Sequence, residues 1–305
     1  MNLIETNDLC KKYGETLVIN KVNMHVPEHS IYGFVGENGS GKTTIMRLVT
    51  GLAEVTSGGF TLFGVSNKDL KISEMRKNIS AIVETPALIP TFSAIDNMKY
   101  QELYSGVSLT IEQRHALLKK VHLEDVGDKK VRNYSLGMRQ RLAIALALLN
   151  KPKLMLLDEP MNGLDPEGIV ELRELLIDLN KNEGITILIS SHILSELEKI
   201  ATVYGFISKG KLLEEITAEE LQKRFRRSIS MKVDNIEKCE EALKKLNIKE
   251  FEVMPSGNVR IFDNVKINTI LSAFSKENVE ILSINSNEDS VEDYYLNLIK
   301  NKEER

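Results

Sequence analysis

The chain has 305 residues, enough for one large domain and a second small one. It is 42% hydrophobic and 28% charged with a formal net charge of −4, which excludes a strongly basic protein built to attract nucleic acid or anionic lipid. Cys10 and Cys239 lie far apart without metal-ligand spacing and read as reduced structural thiols. Met1 to Asn7 carries no basic-then-apolar pattern, so no signal peptide is expected. The longest uninterrupted apolar run, Leu142 to Leu149, falls well short of the ~20 residues of a membrane span, so any spanning part is expected on another chain.

In chain order, Leu3 to Leu9 and Leu17 to Val26 are rich in β-branched residues and predict two strands of an antiparallel layer, with Tyr13 in the turn between them. Ile31 to Val35 predicts a buried strand and Thr44 to Thr50 a helix. Between them stands Gly36-Glu37-Asn38-Gly39-Ser40-Gly41-Lys42-Thr43-Thr44, a phosphate-binding loop pattern of Gly, four residues, then Gly-Lys-Thr. Its glycines let the backbone amides approach a phosphate, and the helix N-terminus favours the anion. Lys42 would meet the β- and γ-phosphates, and the Thr43 hydroxyl would face Mg²⁺.

Further on, Phe60 to Phe63 and Ile79 to Val83 predict strands, the second ending at Glu84. From Ala94 to about Asp125 apolar residues recur at helical spacing, which predicts a helical insert, followed by the helix Leu142 to Leu149. Leu154 to Leu157 is apolar at every position, as a central strand covered on both faces would be. A helix over Glu171 to Leu179, a strand over Ile185 to Ile189 and a helix over Ser195 to Ile200 complete a parallel α/β core. After a charged stretch at Glu219 to Arg227 the pattern changes. Strands at Ile229 to Val233, Glu250 to Met254, Val259 to Phe262 and Ile281 to Ile284 alternate with helices at Glu237 to Leu246, Ile267 to Ser275 and Val291 to Lys300, with a turn at Pro255-Ser256-Gly257-Asn258. The order βαββαβ plus a closing helix predicts a small ferredoxin-like α+β domain. The expected division is a nucleotide-binding domain over 1–220, carrying a helical subdomain at about 86–150, and an accessory domain over 221–305.

Asp158 ends the central strand, where a second carboxylate is needed to hold Mg²⁺. Glu159 follows and is placed to polarise a water for attack on a γ-phosphate. Ser135 precedes a helix as an N-cap, with Gly137 just after it. His192 ends the strand after Glu159's.

In this order the segments resemble one family, the ATP-binding-cassette ATPases: the loop Gly36 to Thr44, the signature Tyr134 to Gln140, the carboxylate strand Leu154 to Glu159, the turn Asn162-Gly163-Leu164-Asp165 and His192. The resemblance implies a P-loop fold with a parallel-sheet core, an antiparallel β layer and a helical subdomain. It implies that Tyr13 stacks on adenine, that Glu159 is the general base and that His192 contacts the γ-phosphate and orients water. It further implies two cassettes facing head to tail. Ser135, Leu136, Gly137 and Met138 of one would then close the ATP·Mg²⁺ site of the other, and Gly163 and Asp165 would meet across the contact. Separate membrane permease subunits would be the partners, at the cytoplasmic face of the membrane, and no nucleic acid is involved.

Two positions depart from the family pattern. Glu84 stands where a Gln is usual and would add a third ligand for Mg²⁺ beside Thr43 and Asp158; the signature reads Tyr134-Ser135-Leu136-Gly137-Met138 rather than Leu-Ser-Gly-Gly-Gln. These departures, with Ser190 to Glu196 and Glu292-Asp293-Tyr294-Tyr295, resemble the bacitracin-resistance and lantibiotic-immunity exporters. The alternatives are an exporter of a drug, a lipid-linked sugar or sodium, and a soluble cassette protein outside transport. The single cassette and the absence of a sustained heptad speak against the last.

Overall fold

The computed structural model describes residues 1–225, 227–254, 258–262, 265, 267–277, 279–288 and 290–303, and the counts below refer to these. They fall into two compact units, Met1–Glu219 and Glu220–Arg305.

In the first unit β1 (Asn2–Tyr13), β2 (Thr16–Val22) and β3 (His25–Pro27) precede the strand β4 (Ile31–Val35) and the helix α1 (Lys42–Thr50). Next come β5 (Ser57–Leu62), β6 (Val65–Ser66), α2 (Ile72–Met75) and β7 (Ile79–Ile82). Three helices follow, α3 (Ala94–Ser105), α4 (Ile111–Lys120) and α5 (Leu136–Leu148). The chain then runs through β8 (Leu154–Asp158), α6 (Pro166–Lys181), β9 (Thr186–Ser191), α7 (Leu194–Leu197), β10 (Val203–Ser208) and β11 (Lys211–Thr217). Helix α8 (Ala218–Arg224) crosses the boundary between the units.

Two sheets result. In the antiparallel layer the order is β2-β1-β5-β6, with β3 also on β1. The second sheet has the order β11-β10-β4-β9-β8-β7, parallel throughout except for the antiparallel edge strand β11. Ile4, Leu9 and Ile19 of the antiparallel layer, with Met24 between β2 and β3, share one buried cluster with Ile45 and Leu48 of α1 and with Leu156 and Leu188 of the parallel sheet. Burial on both faces explains the apolar residues that run through β4, β8 and β9, while the polar residues at the strand ends, Asp158, Ser190 and Ser191, are buried as well.

The expected helical stretch from Ala94 to Asp125 is two helices. Ser93 caps α3 in a reciprocal box with Asp96, and Thr110 caps α4 likewise with Gln113, each cap contributing about 0.5–2 kcal/mol. Glu102 accepts two hydrogen bonds from Arg114, at 2.7 and 2.8 Å, and ties the pair together. That hydrogen bonding holds the Glu102 carboxyl below its usual range against the opposing effect of burial.

Several expectations shift. The strand Leu17 to Val26 is broken into β2 and β3, because Asn23 and Met24 turn away; the Asn23 side chain accepts from the Asp8 amide and the Met24 amide bonds the Thr6 hydroxyl. Tyr13 is the last residue of β1, paired with Thr16, rather than part of the turn. The helix expected over Ser195 to Ile200 is the single turn α7. The helix α6 starts five residues before Glu171, at Pro166 behind the N-cap Asp165. Strands β10 and β11 were not expected.

The second unit contains β12 (Arg227–Val233), α9 (Ile236–Lys245), β13 (Phe251–Val253), β14 (Asn258–Ile261), α10 (Ile267–Lys276), β15 (Ile281–Glu288) and α11 (Val291–Glu303). Its four strands pair antiparallel in the order β13-β14-β12-β15. Met231, Leu243, Val259, Ile261, Ile270 and Phe274 form a core of its own around Cys239. Burial raises the Cys239 thiol to about 11, which keeps it protonated and unreactive. The expected turn at Pro255 to Gly257 lies outside the described residues.

Strand β10 fits beside β4 only because position 205 is glycine. A Cβ there would lie 2.0 Å from the hydroxyl of Tyr32, which is fully buried and donates to Glu215 at 2.7 Å. Gly205→Ala is therefore expected to destabilise the first unit by ~1–3 kcal/mol, as overpacking does. In urea unfolding, adding Tyr32→Phe, which removes the atom in closest conflict, should recover part of that loss.

Candidate active site

The site is assembled at the carboxyl ends of β4, β8 and β9, where parallel α/β sheets place their ligands. The loop after β4 carries the phosphate-binding pattern into α1. Gly36 is packed so closely that a Cβ would lie 2.5 Å from the Ser40 hydroxyl and 2.6 Å from the Ile207 carbonyl. Gly41, the residue before α1, has φ +111°, and a side chain there would strike Ile19 of β2. Gly39 and Ser40 complete the loop, with Asn38 exposed and Thr44 buried in the first turn of α1. The Gly210 amide donates to the Ser40 carbonyl at 3.0 Å, and the Gly210 carbonyl accepts from the Asn20 amide at 2.8 Å. The β10–β11 turn thus pins the loop to the β1–β2 hairpin. Tyr13 stands at the turn end of that hairpin, half exposed, with the Lys11 ammonium 4.7 Å from its ring centre.

Lys42 is buried, with Nζ donating to the Gly36 carbonyl at 2.5 Å and the Glu37 carbonyl at 3.1 Å. Burial lowers its pKa, while the Glu159 and Asp158 carboxylates pull the other way. The Thr43 hydroxyl donates to Asp158 Oδ2 at 2.7 Å. Asp158 Oδ1 accepts from the Ser190 hydroxyl at 2.6 Å, and the same hydroxyl accepts from the Glu159 amide at 2.9 Å. Ser190 is fully buried and was absent from the expected site; a serine at a strand end reads as turn chemistry, and its role emerges only from the pairing of β8 with β9.

Glu159 adopts a left-handed backbone at φ +51°, a conformation a non-glycine residue holds only when its surroundings enforce it. Here the enforcing contacts are its amide's bonds to the Ser190 carbonyl and hydroxyl. The result splits the carboxylate between two duties. Oε2 receives the His192 ring at 2.6 Å and the His192 amide at 3.2 Å. Oε1 is buried without a hydrogen bond and faces Lys42 Nζ at 3.7 Å. Ser40 Oγ is likewise buried and unpartnered. The Ser40 hydroxyl can donate to a phosphate oxygen and the free lone pairs of Glu159 Oε1 can accept from a water, so the two fit a bound phosphate with a water beside it.

Glu84 is placed differently. It lies two residues past the end of β7 at φ +68°, is more than half exposed, and forms an ion pair with Arg47 of α1. No cluster of three metal-capable His, Cys, Asp or Glu side chains occurs among the described residues. Thr43 and Asp158 meet at the loop, a donor set that suits Mg²⁺, which keeps several waters and takes its remaining ligands from phosphates.

The segment Ser135 to Met138 lies against the turn Gly163 to Asp165 and the start of α6. Ser135 caps α5 and accepts from the Met138 amide at 3.2 Å. Leu136 is exposed and lies over Gly163, where a Cβ would come within 3.1 Å of it. Gly137 faces Leu164 and Gly168. Asp165 caps α6 by accepting from the Gly168 amide at 3.2 Å.

The profile of the ABC transporter family matches residues 19–162. Two relatives are bacitracin transport ATP-binding proteins. That of Enterococcus faecalis is 40% identical over 300 residues, covering 97% of this chain and 96% of its own, and that of Bacillus licheniformis is 39% identical over 305 residues, covering 97% of each. A lantibiotic transport ATP-binding protein of Streptococcus pyogenes is 46% identical over 213 residues, 70% of this chain and 90% of that one. Among solved structures, an ATP-binding subunit of an ABC transporter superposes with a TM-score of 0.64 at 28% identity, covering 73% of this chain and 92% of that one. A dimeric ATP-binding cassette in a post-hydrolysis state with ADP and phosphate gives 0.63 at 25% identity over 70% of this chain and 98% of that one.

Ser190→Ala removes both of the hydroxyl's hydrogen bonds and leaves Asp158 Oδ1 short of a donor. The expected cost is about 1–3 kcal/mol, read as a lower urea midpoint with an unchanged slope.

Proposed function

We propose a specific role from one premise: the chain belongs to the ABC transporter family, as an ATP-hydrolysing subunit. The observation that carries the chemistry is the divided Glu159 carboxylate, with Oε2 on His192 and Oε1 buried, without a hydrogen bond, 3.7 Å from Lys42 Nζ. In this reading the loop amides of Gly36 to Thr44 hold the phosphates of ATP, and Tyr13 stacks on the adenine. Lys42 leaves its two carbonyl partners for the β- and γ-phosphates. Glu159 accepts a proton from the water that attacks the γ-phosphorus as the bond to ADP breaks. His192 keeps the carboxylate aimed and contacts the γ-phosphate.

Thr43 and Asp158 would hold Mg²⁺, which offsets phosphate charge when bound. Glu84 joins them only by releasing Arg47. A carboxylate freed in that way near the γ-phosphate would report nucleotide to the segment that follows β7. Ser135, Leu136, Gly137 and Met138 would close the site of a second cassette, with Gly163 and Asp165 at the contact.

The cassette would act at the cytoplasmic face of the membrane on a separate permease. No helix among the described residues is long and apolar enough to cross a bilayer. We assign the exported cargo to peptide antibiotics of the bacitracin or lantibiotic kind. The match to bacitracin transport proteins supports this, because it runs through both structural units. In this reading residues 1–220 form the nucleotide-binding domain and 221–305 an accessory one.

Glu159→Gln keeps the shape and loses the base. It should bind ATP, turn over ~10²–10⁴-fold more slowly and accumulate as an ATP-bound dimer on size exclusion. Wild-type turnover by a monomer would overturn base and dimer together. For Glu84, alanine should lower bacitracin or lantibiotic resistance of cells well below wild type while the ATPase of the isolated chain is largely kept, and glutamine should keep much of the ATPase. Resistance at the wild-type level in Glu84→Ala cells would remove the coupling role.

A further inference from the structure

We propose that Arg173 and Glu196 are positioning residues for His192, and that their ion pair carries the state of the intersubunit loop to the catalytic carboxylate. The inference rests on the reading of Glu159 and His192 given above.

Arg173 Nη1 donates to Glu196 Oε2 at 2.5 Å, and Lys199 Nζ donates to the other oxygen, Oε1, at 2.6 Å. Both members of the Arg173–Glu196 pair are largely buried, with side-chain exposures of 18% and 15%, so water screens them little. The hydrogen bonds from Lys199 and Arg173 hold the Glu196 carboxyl below its usual range in spite of its burial.

The two ends of this pair belong to different working parts. Arg173 is on α6, two turns after Pro166, and α6 begins at Asp165 at the end of the intersubunit loop. Leu172, Leu175, Leu176 and Leu179 bury the other face of α6, which makes the helix a stiff rod. Glu196 is in α7, four residues after His192. The Ser191 hydroxyl accepts from the Ile193 amide at 2.9 Å and turns the chain after β9. Leu197 is fully buried against Gly33 of β4, where a Cβ would lie 2.8 Å from it.

The His192 turn is therefore fixed on one side by an apolar anchor in the core and on the other by a charge on α6. The apolar anchor belongs to the rigid sheet. The charged one belongs to the helix that a second cassette would press on. A shift of α6 along its axis reaches His192 through Arg173 and Glu196, and through the 2.6 Å contact of His192 it reaches Glu159. Displacing a catalytic group by a fraction of an ångström is enough to change turnover without changing nucleotide affinity.

The test is steady-state ATPase and ATP binding of the full chain carrying Arg173→Met, Arg173→Lys or Glu196→Gln, alone and with His192→Ala. Arg173→Met keeps the apolar stem, and Glu196→Gln is isosteric, so one stands in for the other should either fold poorly. Each is expected to lower kcat by roughly three- to thirtyfold with the ATP Kd within about twofold. Arg173→Lys, which keeps the charge, should recover part of the loss. On top of His192→Ala, Arg173→Met should cost nothing more. Should His192→Ala fall below detection, the ¹⁵N shifts of the His192 ring in the full-length chain replace the cycle. They should move in Arg173→Met and return toward wild type in Arg173→Lys.

Unchanged kcat, a Kd that rises in step with the loss of kcat, equal losses with and without His192, or an unmoved His192 ring would each overturn the proposal. Wild-type turnover in Glu159→Gln and His192→Ala would instead bring down the reading of the active site itself.

Discussion

Everything at the site depends on the register of three strand ends. Asp158 of β8 lies opposite Ser190 of β9, and Ser190 lies opposite Phe34 of β4, one residue before the strand ends. A slip of one residue in either pairing would turn Asp158 or Ser190 to the other face and dissolve the constellation. The register is secured by burial on both sides of apolar strands, a non-directional force, yet its product is directional. One hydroxyl, Ser190 Oγ, donates to Asp158 and accepts from the Glu159 amide. Through that hydroxyl the Asp158 carboxylate and the proposed base are set by the same group, and the left-handed backbone of Glu159 follows.

Lys42 shows the complementary constraint. Burial disfavours its charge and two carboxylates favour it, while its ammonium is lent to two carbonyls of its own loop. A cation held this way is desolvated in advance and loosely committed, so exchanging two carbonyls for phosphate oxygens strengthens its bonding. Ser40 Oγ and Glu159 Oε1, both buried without a hydrogen bond, belong to the same arrangement of polar groups. A polypeptide tolerates buried orphans where a ligand completes them.

Much of this was legible in the sequence because the relevant signals are local. Uniform apolar runs mark β4, β8 and β9, and the loop residues Gly36 to Thr44 carry their chemistry in order. The order of elements in the second unit was also readable, because short alternating segments are punctuated by charge and turns. What was missed is tertiary. Strand β10 is interrupted by Gly205, a residue that weakens a strand pattern and is there to admit Tyr32 from the neighbouring strand. Ser190 reads as a turn residue until β8 is set beside it. Arg47 and Glu84 stand 37 positions apart, and nothing local to either announces their ion pair. Arg173 looks like an ordinary charge on an amphipathic helix until α7 is placed against it.

The two units also explain how the relatives can differ in length. The streptococcal relative matches 213 residues that make up 90% of its own chain, leaving little room for a second unit, whereas the bacitracin transport proteins match nearly the whole of this one. Each unit here has a separate hydrophobic core, one around α1 and the parallel sheet and one around Cys239. Every side chain assigned to ATP chemistry lies before residue 219, inside the first of them. Catalysis is thus free to stay fixed in the first unit while the second changes or is absent, and the second is where a difference in duty between these relatives has room to reside.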